Sequence, residues 1–214
     1  MAVLKNKSRG KFIVLEGLDG SGQTTQALKL RDFLLEKNLK VHLTKEPTDS
    51  LIGGLIRSQL RQYWKSSQEC LQLLFAADRS FHLEKEILPL LKKGVNVICD
   101  RYLFSSLAYG ALEIKDKNWL WEINRQFLLP DLIIFLKVPA KTCLVRIKNN
   151  RFERTLFEKE NILKEVLKNY LDLKKKFQNF FIVEGNKSPE LVFEEIKEIL
   201  KKTLPDLFLS PRNC

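Results

Sequence analysis

Apolar residues in this chain gather in short unbroken runs rather than in alternation. Phe12-Ile13-Val14-Leu15, Val95 to Cys99, Leu132 to Leu136 and Phe180 to Val183 are each of strand length, and Val41 to Thr44 is a shorter fifth. Unbroken apolarity suits strands covered on both faces, as in a parallel sheet, because a strand with one wet face would alternate. Between the runs the spacing turns helical. Ala27, Leu30 and Leu34 share one helix face, Ile162, Val166, Leu173 and Phe177 repeat at steps near four and seven, and Val192, Ile196, Ile199 and Leu200 mark a last helix. Gly94, after Lys92-Lys93, reads as a helix stop feeding the next strand. Strands alternating with helices predict right-handed crossovers and an α/β fold, a three-layer sandwich around a five-stranded parallel sheet. With no linker, repeat or low-complexity stretch, residues 1–214 read as a single domain with an irregular tail, 205–214.

Composition narrows the class. At 214 residues, 44% hydrophobic and 29% charged, the chain has material for one substantial core. No apolar run approaches the roughly 20 residues of a spanning helix, and no apolar signal core follows the basic N-terminus, so neither membrane nor secretion is expected. The four cysteines are scattered without a C-x-x-C pair and the two histidines are isolated. A zinc site is therefore not expected, Cys99 reads as core, and the cytoplasm is the simplest location. The net charge of +11 invites a nucleic-acid reading. Against it, lysines interleave with glutamates, as in Glu194-Glu195-Ile196-Lys197-Glu198, and no basic stripe carries interleaved aromatics. No nucleic-acid partner is expected. An anionic small substrate fits the charge equally well.

Directly after the first strand stands Gly17-Leu18-Asp19-Gly20-Ser21-Gly22-Gln23-Thr24-Thr25. It matches the phosphate-binding pattern G-x-x-x-x-G-K-[ST] at Gly17, Gly22 and Thr24, but glutamine replaces the lysine. Glycines let successive backbone N–H groups face a phosphate, the following helix adds its positive end, and Thr24 offers a hydroxyl to Mg²⁺. A glycine-rich turn of purely steric purpose is the alternative; the position between a buried strand and an amphipathic helix favours phosphate. Gln23 can donate a hydrogen bond but supplies no charge. Asp100, at the end of the third strand, is placed to hold Mg²⁺, and Arg101 beside it to clamp a phosphate; a local ion pair between them is the alternative. Lys45, Arg151 and Arg154 are further cations.

The order of these motifs resembles the thymidylate kinases from Lys11 to about Val183. The phosphate loop is followed by Lys45-Glu46-Pro47 where the family usually has Arg-Glu-Pro, then by Leu74-Phe75-Ala76-Ala77-Asp78-Arg79. Asp100-Arg101-Tyr102 with Ser105-Ser106-Leu107-Ala108-Tyr109 come next, then Leu129-Pro130-Asp131-Leu132 and a lid segment, 149–157. The resemblance implies a P-loop kinase fold, transfer of a phosphoryl group from ATP to dTMP with Mg²⁺, and a homodimer. It implies that Phe75 stacks on thymine, Arg79 donates to a base oxygen, Ser106 touches the base edge and Leu55 lines the pocket. Tyr109 would pack against the sugar C2′ and Asp19 would approach the 3′-hydroxyl. Lys45 and Arg101 would hold the acceptor phosphate, with Arg151 and Arg154 reaching the transferring group from the lid. Without the resemblance, Phe75 and Tyr109 read equally well as core aromatics, and Arg79 and Arg154 as solvated cations. The chain departs from the family pattern at Gln23, at Lys45, at Gly110 where glutamine is common, and in the spacing from Arg154 to Phe157-Glu158. A kinase for another nucleoside monophosphate, or a nucleotide-binding protein with little turnover, are the alternatives those departures leave.

Overall fold

The computed structural model describes residues 4–150, 157 and 159–208. Five strands, β1 (Phe12–Gly17), β2 (Val41–Lys45), β3 (Asn96–Asp100), β4 (Leu132–Lys137) and β5 (Phe180–Glu184), form one sheet in the order β2-β3-β1-β4-β5. Every neighbouring pair is parallel. The intervening helices are α1 (Gln23–Glu36), α2 (Leu51–Leu60), α3 (Gln68–His82), α4 (Leu88–Lys92), α5 (Leu103–Gly110), α6 (Lys117–Glu122), α7 (Ala140–Asn150), α8 (Glu160–Lys174) and α9 (Pro189–Thr203). A π-helical turn, Leu83–Ile87, joins α3 to α4.

The unbroken apolar runs have the expected cause. Successive side chains of β1 point to opposite faces, and both faces are covered. Phe12 and Val14 pack with Phe104, Phe135 and Tyr170, whereas Ile13 and Leu15 pack with Leu30, Leu34, Ile196 and Leu200. The first set belongs to the side of α5 and α8, the second to the side of α1 and α9. β1 pairs β3 on one side and β4 on the other, so the strand order reverses beside it, and a crevice opens at the carboxyl ends of β1 and β3. Register brings Asp100 opposite both Leu15 and Lys45, which places the phosphate loop, Lys45 and Asp100 at that one edge.

Two expectations are corrected. The third strand starts at Asn96, because the Val95 N–H still bonds the Leu90 carbonyl as part of the helix end; Gly94, with φ 77°, makes that turn. The tail expected to be irregular from 205 begins as a 3₁₀ turn, Pro205–Leu207, because Leu207 and Phe208 pack on the α1–α9 side of the core. Among the described residues no helix is long and apolar enough to cross a membrane.

Candidate active site

Backbone geometry builds the phosphate loop. Gly20 and Gly22 have φ of 80° and 94°, a region that side chains rarely enter, and a Cβ on Gly20 would come within 2.6 Å of the Cys143 carbonyl. At the N-termini of α2, α3 and α9, a serine side chain (Ser50, Ser67, Ser188) accepts from a backbone N–H. At α1 the capping residue is Gly22 with no such bond, and the first turn has no carboxylate. Its N–H groups are thus left for an anion. Leu18 contributes backbone only, its side chain being buried in the core, while Thr25 is exposed at the cavity edge. Gln23 is buried, and Ser21 Oγ donates to its Oε1 at 3.4 Å.

The strand ends supply the charges. Thr24 Oγ1 donates to Asp100 Oδ2 at 2.5 Å, whereas Asp100 Oδ1 is buried with no partner among the described residues. Burial pushes the Asp100 carboxyl above its ordinary range, with Thr24, Arg101 and Gln23 opposing. An unpaired buried carboxylate oxygen beside a hydroxyl is a donor set suited to a hard divalent cation, so the residues fit Mg²⁺. Arg101 sits at φ 71°, a strained conformation for a residue with a side chain, and is held on three sides. Nη2 meets Asp19 Oδ1 at 2.7 Å, Nη1 donates to Ser105 Oγ at 3.0 Å, and the guanidinium lies 5.5 Å from the Tyr109 ring centre. Asp19 is fixed further by its own N–H, which donates to Tyr109 Oη. Lys45 is exposed and pairs with Asp49 at 3.3 Å. The loop after it is tied down by Asp78, which accepts from Thr48 and Ser50.

Loop residues Asp19 to Thr25, with Lys45, Asp100, Arg101 and Ser105, line one cavity of about 1170 Å³, larger than a usual single-ligand site. On the α3–α5 side its lining includes Phe75, Ser106 and Tyr109. On the α7–α9 side it includes Arg146, Gly185, Lys187 and Val192. Arg146 bonds the carbonyls of Ser21 and Gly185, so it braces the loop from that side.

One expected role does not match the placement, and one residue is bound more tightly than its sequence suggested. Leu55 is 47% exposed and does not line the cavity; its helix turns Arg57 and Leu60 inward instead. Arg79 lines the cavity but is only 1% exposed, and most of its donors are paired within the protein. Nε and Nη2 pair with Glu46 at 3.0 and 2.9 Å, Nη1 with Asn124 and Nη2 with Ser106. A buried guanidinium needs such partners, so Arg79 is a fixed donor in the cavity wall and not the solvated cation that its helix position suggested. Glu46 also accepts from His82; burial opposes the charged imidazole, but Glu46 together with Glu86 and Asp78 outweighs it and raises the His82 pKa. Arg151 and Arg154 lie outside the described residues. Phe157, at the end of the expected lid, packs edge-on against Tyr109 at 5.2 Å.

Sequence reasoning missed Glu16. It stands in β1 just before the loop, wholly buried, and accepts from Ser105, Tyr170 and the Tyr102 N–H. Burial lifts its carboxyl from an ordinary 4.5 to about 7, although those donors and Arg101 favour the ionised form. A carboxylate interrupting an apolar run was the available signal. Arg146 and Lys187 gave none, since each reads locally as a solvated cation.

A model of the thymidylate kinase family matches residues 15–196. The chain belongs to the thymidylate kinase family. It is 45% identical over 204 residues to a probable thymidylate kinase of Pyrococcus horikoshii, covering 92% of this chain and 98% of that one. A probable thymidylate kinase of Methanocaldococcus jannaschii is 42% identical over 191 residues, 89% and 95% of the two chains. Among solved structures, a thymidylate kinase from Candida albicans superposes with a TM-score of 0.80 at 27% identity, covering 95% of this chain and 96% of that one. As a thymidylate kinase the chain is a nucleoside monophosphate kinase, and its reaction is ATP-dependent phosphorylation of dTMP to dTDP.

Proposed function

We propose a division of labour within this reaction, carried by one observation: Asp100 and the Arg101 clamp line the same cavity as Phe75 and Ser106 on its α3–α5 side, taken as one arm, and Arg146 and Lys187 on its α7–α9 side, taken as the other. ATP takes the α7–α9 arm with its phosphates on the N–H groups of 17–25, and dTMP takes the α3–α5 arm. Thr24 Oγ1 and Asp100 hold Mg²⁺, which spreads the phosphate charge that otherwise keeps two polyanions apart. Arg101, pre-set by Asp19, Ser105 and the Tyr109 ring, anchors the acceptor phosphate with Lys45 beside it. A donor fixed before substrate arrives loses little ordering entropy in the transition state. Phe75 stacks on the base, and Arg79 fixes Ser106 at the base edge, sharing with a base oxygen a donor already bonded within the protein. Tyr109 closes the space at the sugar C2′, and Asp19 borders the 3′-hydroxyl. Arg151 and Arg154 complete the site from a lid over 149–157, supplying charge that Gln23 lacks.

An apolar face supports a homodimer. Leu51 and Leu55 on α2, and Leu73 and Phe81 on α3, are exposed stripes on two helices that pack together. Leu55→Lys should convert a dimer to monomer in light scattering; a monomeric wild type would remove this part. The unpaired cysteines, two of the three described ones being buried, support a cytoplasmic location.

The test of the acceptor is ADP release with saturating Mg²⁺ATP across a panel of monophosphates. The expected order is dTMP, then dUMP, with ribonucleotides poor. The missing methyl should cost on the order of 1–3 kcal/mol. Comparable turnover of CMP or AMP would refute the assignment of the α3–α5 arm.

A further inference from the structure

The glycine after Tyr109 has a tertiary cause. A Cβ on Gly110 would lie 2.9 Å from Cδ of Gln72, 3.0 Å from its Oε1 and 3.1 Å from its Nε2. The Gln72 carboxamide therefore covers Gly110 and fills the place where a side chain at that position would start. Gln72 is on α3, three residues before Phe75 and seven before Arg79, a spacing that puts the three on one helix face. All three line the cavity. Gln72 is buried, yet its Oε1 has no hydrogen-bond partner among the described residues. A buried amide oxygen left unpaired is costly, and a ligand that donates to it removes the cost.

We infer that Gln72 is a specificity-determining residue whose Oε1 accepts the ring N3–H of a pyrimidine base. The inference rests on the assignment of the α3–α5 arm to the acceptor base. Its neighbours decide the sense of the pairing. Arg79 has donors only, and the Ser106 oxygen already accepts from Arg79, which leaves the Ser106 hydroxyl to donate. Two donors and one acceptor on that wall complement a carbonyl next to a ring N–H, as in thymine and uracil. Cytosine puts an amino group against the donors and a lone pair at N3. It would leave Gln72 Oε1 unpaired or force the amide to turn against its neighbours.

The test compares kcat/KM for dTMP and dCMP in wild type and Gln72→Met, which keeps volume and removes the amide. The variant should lose about 10- to 100-fold on dTMP, change little on dCMP, and keep its KM for ATP. Gly110→Gln alone should be impaired by collision with Gln72. The exchanged pair Gln72→Ala with Gly110→Gln, which returns a carboxamide from the opposite wall, should recover roughly tenfold or more over Gln72→Ala. A dTMP/dCMP ratio in Gln72→Met within about twofold of wild type, below the effect of one lost hydrogen bond, would overturn the inference while leaving the acceptor arm intact. A wild type without preference for dTMP would defeat the underlying assignment instead.

Discussion

The Ser105 hydroxyl donates to Glu16 Oε2 at 2.6 Å while its oxygen accepts from Arg101 Nη1 at 3.0 Å. One serine thus links a buried carboxyl in the central strand to the guanidinium that we propose anchors the acceptor phosphate. Tyr170 closes the same group from α8, donating to Glu16 Oε2 at 2.8 Å.

Burial of the Glu16 carboxyl, against the pull of those hydrogen bonds, predicts a pH dependence of stability. The Glu16 carboxyl has a pKa of about 7 when folded against an ordinary 4.5, so the folded state holds its proton more tightly. Its contribution to stability is present below about pH 4.5 and is lost as pH rises through 7. Glu16→Gln should remove this slope, amounting to about 3 kcal/mol across the window. Urea denaturation at stepwise pH measures it; parallel profiles for wild type and variant would mean that Glu16 is already ionised when buried.

Arg101→Ala should lower kcat and raise KM for dTMP together, with kcat/KM down by about 10²–10³. Lys197→Ala, on α9 with its amine paired to Glu194, should stay near wild type. Steady-state kinetics of both variants decide the matter. A near-normal Arg101→Ala would mean that the acceptor phosphate lies elsewhere.

Activity should vanish on chelation of Mg²⁺ and return on its addition. Asp100→Asn should need much more Mg²⁺ for half-maximal rate, because a neutral amide replaces the anionic oxygen opposite Thr24. An unchanged Mg²⁺ titration would take Asp100 out of the metal site.

Arg151→Ala and Arg154→Ala should each cost about 2 kcal/mol in transition-state stabilisation, comparable to removing one preorganised donor. Single-turnover rates at saturating ATP and dTMP separate this from a binding effect. Full activity in both variants would place the charge missing at Gln23 on another residue.

Local features of the chain settled much of this protein. The runs at Phe12–Leu15 and Leu132–Leu136 determined a sheet covered on both faces, since only burial from two sides removes the need for alternation. Glycine spacing determined the phosphate loop, because φ of 80° and 94° at Gly20 and Gly22 excludes most other residues. Strand ends placed Asp100 and Arg101 at the crevice. Tertiary packing decided the rest, because it depends on partners far along the chain. Arg79 reads as a free cation until Glu46, Ser106 and Asn124 arrive from three other segments and take its donors. Leu55 faces solvent because Arg57, two positions on, bonds the Pro47 and Thr48 carbonyls and turns the other side of α2 inward. The Glu16 carboxyl is set by desolvation, and desolvation is a property of everything packed around it. Gly110 reads as a lost side chain, yet its place is filled by Gln72 from a helix that precedes it by almost forty residues.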